Sequence, residues 1–131
     1  MSLSSRITRQ PIPFDPSAAA DLRESLDGFA GPVLDLMAAT AGCSPYLRGL
    51  MLREGDWLRE AVEDPDAALE AALAAADGVG VEALPLALRQ AKRRVAVLAA
   101  LCDVGGVWSL EAVTGALTRL ADKAVHLSLT G

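Results

Sequence analysis

The sequence predicts an all-α fold, a bundle of five to seven helices, and three observations support this prediction. Hydrophobic residues make up 52% of the 131 positions but aromatic residues only 4%, so alanine, leucine and valine supply most of the apolar surface. Alanine and leucine lose little conformational entropy in a helix. Apolar residues recur at intervals of three and four, and no useful stretch alternates with the period of two that strands require. Finally, capping side chains precede prolines at three places.

The first residues differ from the rest of the chain. Residues 1–14 contain Pro11 and Pro13 and have no sustained periodicity, which predicts an extended or disordered arm. We expect residues 15–131 to form one helical domain, because a chain of this length suits a single domain.

Prolines at first-turn positions open the first three predicted helices. The first helix begins at Pro16, with Asp15 as its N-cap, and the second begins at Pro32. The third begins at Pro45 after the capping residue Ser44. The fixed φ of proline and its missing N–H cost nothing in a first helical turn. Glycines follow each of these segments and end the helices.

Two shorter helices follow. Asp56 is placed to cap the fourth helix, and Asp64 with Pro65 repeats the cap-and-proline pattern at the start of the fifth. Gly78 and Gly80 close this part of the chain.

Two long helices complete the predicted bundle. One follows Pro85 and stops at Gly105-Gly106, and the other is capped by Ser109. The last helix has an apolar seam that either packs in a helical hairpin hinged at Gly105-Gly106 or binds an outside partner. The seam consists of Leu110, Val113, Leu117, Leu120, Ala124 and Leu127.

Charge and composition exclude several classes of protein. A net charge of −5 argues against a general nucleic-acid binder, because affinity for phosphate backbones needs an excess of lysine and arginine. Cys43 and Cys102 form no metal-binding pair, which predicts reduced thiols acting as small apolar residues in a cytoplasmic protein. No apolar window reaches the length of a membrane span, and no export signal is evident, so we expect no membrane association.

A basic cluster lies on the sixth predicted helix. Arg89, Lys92 and Arg93 share one face, close to Arg94. Such a cluster can hold a phosphate or contact a carboxylate-rich partner surface. The alternative is a solvated face whose cations pair with nearby acids.

Other patterns resemble functional motifs, but their context favours structural roles. Asp64 and Asp66 match the Asp-x-Asp pattern of metal sites, yet they flank a proline that opens a helix. Gly78 and Gly80 loosely fit a dinucleotide-binding loop but no strand precedes them. His126 has no second ligand at a suitable spacing. We therefore assign no catalytic, cofactor-binding or metal-ligating residue.

Three blocks of sequence resemble the amino-terminal helical region of the glutamine synthetase adenylyltransferase family. In order, that region has a Ser-Pro-aromatic-Leu segment, a helix rich in arginine and lysine, a short break, and a helix ending in Leu-Ala-Asp. The blocks here are residues 42–57, which contain Ser44-Pro45-Tyr46-Leu47, then 88–94 and 110–122. Each is widespread alone, but the three occur in order within residues 42–122, a span of roughly sixty percent of the chain.

The resemblance implies a bifunctional nucleotidyltransferase that adds and removes AMP on glutamine synthetase and so controls nitrogen assimilation. It also implies Mg²⁺, ATP and phosphate for the parent enzyme, and the PII signalling protein as its regulator. The family's catalytic Gly-Ser turn and strand-borne Asp-x-Asp do not occur in these 131 residues. We therefore expect a non-catalytic helical fragment, amino-terminal to an absent nucleotidyltransferase domain.

Two alternatives stay open at this point. One is a stand-alone helical protein-interaction adaptor that binds through the seam of the last helix. The other is a small helical enzyme that uses Arg89, Lys92 and Arg93 around an anionic substrate, which requires a deep pocket lined by those cations.

Overall fold

The computed structural model describes residues 2–130, with side chains through residue 127, and this part of the chain is all-α with no strand. It contains eight helices, one more than the predicted maximum, because four residues of the predicted arm are helical. The helices are α1 (Leu3–Arg6), α2 (Pro16–Ser25), α3 (Gly31–Cys43), α4 (Pro45–Arg53), α5 (Gly55–Ala61), α6 (Pro65–Ala74), α7 (Leu84–Val104) and α8 (Leu110–Thr130).

Side-chain caps start the helices where the sequence predicts them. The Asp15 carboxylate accepts hydrogen bonds from the backbone N–H groups of Ser17 and Ala18, at 3.0 and 3.2 Å. Ser44 and Asp64 accept equivalent bonds at the starts of α4 and α6. These bonds satisfy N–H groups that have no partner inside a helix. The three predicted cap-and-proline starts are confirmed.

The start of α5 differs from the prediction. Glu54, not Asp56, occupies the N-cap position, and it makes no side-chain capping bond. Asp56 lies in the first turn, where it pairs with Arg59 at 2.5 Å. The predicted cap at Asp56 is wrong because the helix begins two residues earlier than predicted, at Gly55, whose backbone packs closely against Leu26.

Residues 2–15, which we call the N-terminal strap, lie across the bundle. Leu3 is fully buried, and its N–H donates to the Val62 carbonyl at 2.7 Å. Thr8 and Arg9 both donate backbone N–H groups to the Gly105 carbonyl. The predicted arm thus contains a helix and joins the core, because its few apolar groups find partners that are distant in sequence.

The core lies between α3 and α7, around which the shorter helices pack. α2 and α4 contact α3, while α6 and α8 contact α7. The largest fully buried side chains are mostly aliphatic, consistent with the low aromatic content: Leu3, Leu22, Leu36, Met37, Met51, Leu58, Val95, Val97, Leu98 and Leu101. Within residues 2–130, no helix is long and apolar enough to span a bilayer.

The helical hairpin predicted at the end of the chain is confirmed, with α7 and α8 packed together. Gly106 adopts a φ of +67°, which favours glycine, at the turn between them. The Arg9 guanidinium donates to the carbonyls of Asp103 and Val104, at 2.6 and 3.2 Å. A cation at this helix C-terminus donates hydrogen bonds to unpaired carbonyls and interacts favourably with the negative end of the helix dipole.

The seam of α8 is buried only in part. Val113, Leu120, Ala124 and Leu127 are buried or half-buried, and Ala116 is buried beside them. Leu110 and Leu117 are exposed, because the buried stripe passes through the smaller residue preceding Leu117. An apolar strip on α8 therefore remains open to solvent.

Candidate functional site

The candidate site is the basic region formed by α4 and α7, which pack against each other. Residues 45–53 and 84–102 contain six cations and no acidic residue. Glu54, immediately after α4, pairs with two arginines of α7. We call the cations of these two helices the α4–α7 basic surface: Arg53, Arg89, Lys92, Arg93, Arg94 and Arg48, the last of which lines a separate depression together with Asp15.

Glu54 joins the two helices through a pair of ionic hydrogen bonds. Its Oε2 atom accepts from the Nε of Arg93 at 3.2 Å, and its Oε1 atom accepts from the Nε of Arg94 at 2.8 Å. The Glu54 side chain is only 6% exposed, whereas the two arginines are 24% and 25% exposed. A buried carboxylate requires such pairing, because its desolvation is otherwise costly.

Trp57 extends this contact. The guanidinium of Arg94 lies over the Trp57 ring, 5.3 Å from its centroid. Such stacking orients the planar guanidinium while one edge remains available for the carboxylate. This contact joins α5 to α7, so Trp57 acts as a packing anchor.

Arg89 and Lys92 have a different environment. Both side chains are exposed, and no acidic side chain among residues 2–127 forms an ion pair with either. They line an open surface depression of about 390 Å³ whose other walls are apolar. Those walls are Val81, Leu84, Pro85 and Leu88.

The structure therefore divides the predicted cluster. Arg93 is bound to Glu54, as the alternative of paired cations predicts, while Arg89 and Lys92 have no ion pair among residues 2–127. The sequence analysis did not identify Glu54 as a partner of the cluster, and it did not predict the contacts that Arg94 makes with Glu54 and Trp57. The signal available was Glu54 itself, an acidic residue directly after the acid-free segment 45–53. The depression is open, unlike the deep pocket that a small helical enzyme would need.

Asp64 and Asp66 do not converge on a common site. Asp64 caps α6, and Asp66 accepts hydrogen bonds from Trp108 Nε1 at 2.8 Å and from Arg6 at 2.6 Å. Among the described residues, no three histidine, cysteine or acidic side chains are grouped to hold a metal ion. The predicted capping role of Asp64 is confirmed.

The remaining candidates also have structural settings. Gly78 and Gly80 lie in the connection that follows helix α6, so no strand precedes them. Cys102 is fully buried, and burial raises the pKa of its thiol to about 12. Cys43, in contrast, is exposed, and its thiol contacts the Ile12 carbonyl at 3.3 Å. The prediction of a small apolar role thus fits Cys102 but not Cys43.

A second polar depression lies between α6 and α8. His126 lines it, together with two ion-paired residues, Arg119 and Lys123. Arg119 makes two hydrogen bonds to Glu70, at 2.8 and 2.6 Å, and these lower the pKa of the Glu70 carboxyl. Lys123 pairs with Asp77 at 2.9 Å. These contacts hold α8 against the bundle, so both cations have a structural explanation.

Comparisons with known proteins identify related sequences. A family model described as glutamate-ammonia ligase adenylyltransferase matches residues 34–130. A Caulobacter vibrioides protein named bifunctional glutamine synthetase adenylyltransferase/adenylyl-removing enzyme is 39% identical over 127 residues, covering 88% of this chain and 13% of that protein.

Two more relatives carry the same name. A protein of Bradyrhizobium sp. strain BTAi1 is 36% identical, covering 88% of this chain, and one of Rhodopseudomonas palustris strain TIE-1 is 34% identical, covering 98%. The chain spans only 12% and 15% of the lengths of these two relatives. No solved structure matches the chain.

Proposed function

The chain belongs to the glutamate-ammonia ligase adenylyltransferase family, and from this we propose that it is a non-catalytic helical segment of a bifunctional adenylyltransferase. The observation that carries the proposal is the coverage of the matches. Nearly the whole of this chain aligns with each relative, but it aligns with only about an eighth of that relative's length. A segment this small in a bifunctional enzyme leaves most of the protein to supply the chemistry.

The parent enzyme would add AMP to glutamine synthetase and remove it, as the names of the relatives say of those proteins. ATP would supply AMP, and phosphate would accept it during removal. Mg²⁺ and ATP belong, in this proposal, to a nucleotidyltransferase domain that follows these residues. The carboxylates described here are dispersed and do not fit a magnesium site. We further propose a cytoplasmic enzyme regulated by the PII signalling protein.

The segment itself would act as a scaffold. Its conspicuous polar groups already serve structural contacts: Asp64 caps a helix and Glu54 binds two arginines. Of the predicted contact residues, Arg89 and Lys92 have no acidic partner in the part of the chain that the structure describes. We propose that these two residues contact an anion or a partner. Arg93, which pairs with Glu54, would support this contact.

A second candidate is a stand-alone helical adaptor. The open apolar strip on α8 favours it, since Leu110 and Val125 are 74% and 60% exposed. Apolar strips of this kind are typical of protein-binding surfaces.

The complete reading frame of the source gene discriminates between the two candidates. The proposal expects the frame to continue beyond Gly131 into a Gly-Ser turn and an Asp-x-Asp motif. A stop codon at or near Gly131, with a cellular protein of about 13.6 kDa, would instead support the adaptor.

A further inference from the structure

The charge of this molecule is strongly segregated. The whole chain has 12 basic and 17 acidic residues. Six of the basic residues belong to the α4–α7 basic surface, whose segments 45–53 and 84–102 contain no acidic residue, and Glu54 directly follows the first segment. The remainder of the chain therefore holds six basic and sixteen acidic residues. A chain with a net charge of −5 thus concentrates half of its cations on one pair of packed helices.

The Glu54 contact does not neutralise this surface. One carboxylate meets two guanidinium groups, so a positive charge remains at the contact itself. Arg89 and Lys92 add two more within about one and a half helical turns. Surfaces with this excess of one sign attract complementary charge and repel like charge.

Apolar side chains accompany these cations. Val81 is 66% exposed in the depression that Arg89 and Lys92 line. Leu86 is 63% exposed, three residues before Arg89 and therefore on the same side of α7. Apolar side chains would make no favourable contact with a free phosphate. A nucleic acid would be repelled by the acidic remainder of the chain. Mixed apolar and cationic surfaces suit acidic protein segments.

The relatives are much longer than this chain. About seven eighths of the length of the Caulobacter vibrioides relative is outside the region that matches this chain. A segment in the same polypeptide reaches an effective concentration that a separate protein rarely attains.

We infer that the α4–α7 basic surface docks an acidic, partly apolar segment of the parent polypeptide outside these 131 residues. Carboxylates of that segment pair with Arg89 and Lys92, and its apolar side chains cover Val81 and Leu86. This inference rests on the proposed function, because it requires that the chain be part of a longer enzyme. It adds the surface, the partner chemistry and the residues that recognise the partner.

The lysine content of the chain permits a direct test. Lys92 and Lys123 are its two lysines, and a carbodiimide joins a lysine amine only to a carboxylate in direct contact. Lys123 contacts Asp77 at 2.9 Å and serves as an internal control. Treatment of the full-length parent enzyme, followed by peptide mass spectrometry, should give a Lys123–Asp77 link. It should also link Lys92 to an aspartate or glutamate outside residues 1–131.

Variants and salt test the same contact. Arg89→Glu should lower the yield of the Lys92 link roughly tenfold, because a like charge then faces the acidic segment. Arg23→Glu makes the same charge change on α2 and should leave the yield unchanged. Retention of the Lys123–Asp77 link in each variant shows that the fold is intact. The Lys92 link should also weaken with rising salt, because the contact is exposed.

Several results would overturn the inference. One is no Lys92 link in a sample that gives the Lys123 link. Another is a Lys92 link to a second copy of the same residues, seen with mixed isotope-labelled chains, and a third is a link to a separate protein only. If the reading frame ends near Gly131, the proposed function fails first. If the reading frame is long but the Lys92 link is missing, the docking inference fails and the proposed function stands.

Discussion

Replacement of Glu54 by glutamine is the most informative single perturbation of the bundle. Glutamine keeps the shape of the side chain but removes the charge that holds Arg93 and Arg94. It retains one acceptor oxygen for one of the two arginines, and its amide group faces the other as a donor. The two guanidinium groups then lie close together without a counter-charge.

The loss of folding stability caused by Glu54→Gln can be estimated from the geometry of the contact. Hydrogen bonds to charged groups contribute about 1.5–3 kcal/mol each, and breaking a buried ion pair costs about 3–5 kcal/mol. The arginines are a quarter exposed and recover part of their hydration, so we expect a loss near the lower end, about 2 kcal/mol. In a domain of this size the loss corresponds to roughly 6–10 °C in Tm.

Thermal unfolding monitored by circular dichroism at 222 nm measures this effect. Glu60→Gln is the matched control, because Glu60 is exposed on α5 and forms no ion pair among residues 2–127. It should change Tm by less than about 2 °C, as expected for a surface substitution. The reasoning is refuted if Glu54→Gln lowers Tm no more than Glu60→Gln does.

Three further predictions concern the hinge, the thiols and an exposed ion pair. Gly106→Ala should destabilise the chain by more than about 1–2 kcal/mol, because φ is positive and the strap occupies the space of the new Cβ. Gly78→Ala, at an equally positive φ but in open space, should cost less in chemical denaturation; equal losses would contradict the role of the strap. At about pH 8, a thiol reagent should modify Cys43 in the folded chain and Cys102 only after unfolding, since Cys102 is buried with a raised pKa. Rapid native labelling of both would be inconsistent with this packing. The pKa of Glu70 is lowered from its usual 4.5, so its ion pair stabilises the fold above the unfolded-state pKa and loses this effect as pH falls through the folded-state pKa. The Tm difference between wild type and Glu70→Gln should shrink from about pH 6 to about pH 3, and a constant difference would argue against the pair.

Local sequence rules predicted most of the helices because the signals that start them are local. Asp15, Ser44 and Asp64 cap the helices that they precede, each followed by a proline. Helix α1 was missed for the opposite reason. Four residues have no periodicity to detect, and the burial of Leu3 depends on Val62 and other residues far along the chain.

The candidate site shows the same limit. The sequence located the basic residues of α7, since their spacing places them on neighbouring faces of one helix. It did not show which cations were already paired, because Glu54 lies about forty residues away and reaches Arg93 and Arg94 only after α4 packs on α7. The predicted apolar seam of α8 has the correct helical period. However, the structure buries Ala116 in place of Leu117, and this depends on how the neighbouring helix packs.

The central claim, that these residues form a platform whose chemistry resides elsewhere in the parent enzyme, is tested most directly by an activity measurement. Adenylylated glutamine synthetase is incubated with the purified 131-residue chain, Mg²⁺ and phosphate, and AMP release is followed over time. The full-length Caulobacter vibrioides relative serves as the positive control. We predict no AMP release above the rate without protein. Sustained turnover by the 131 residues alone would contradict the claim.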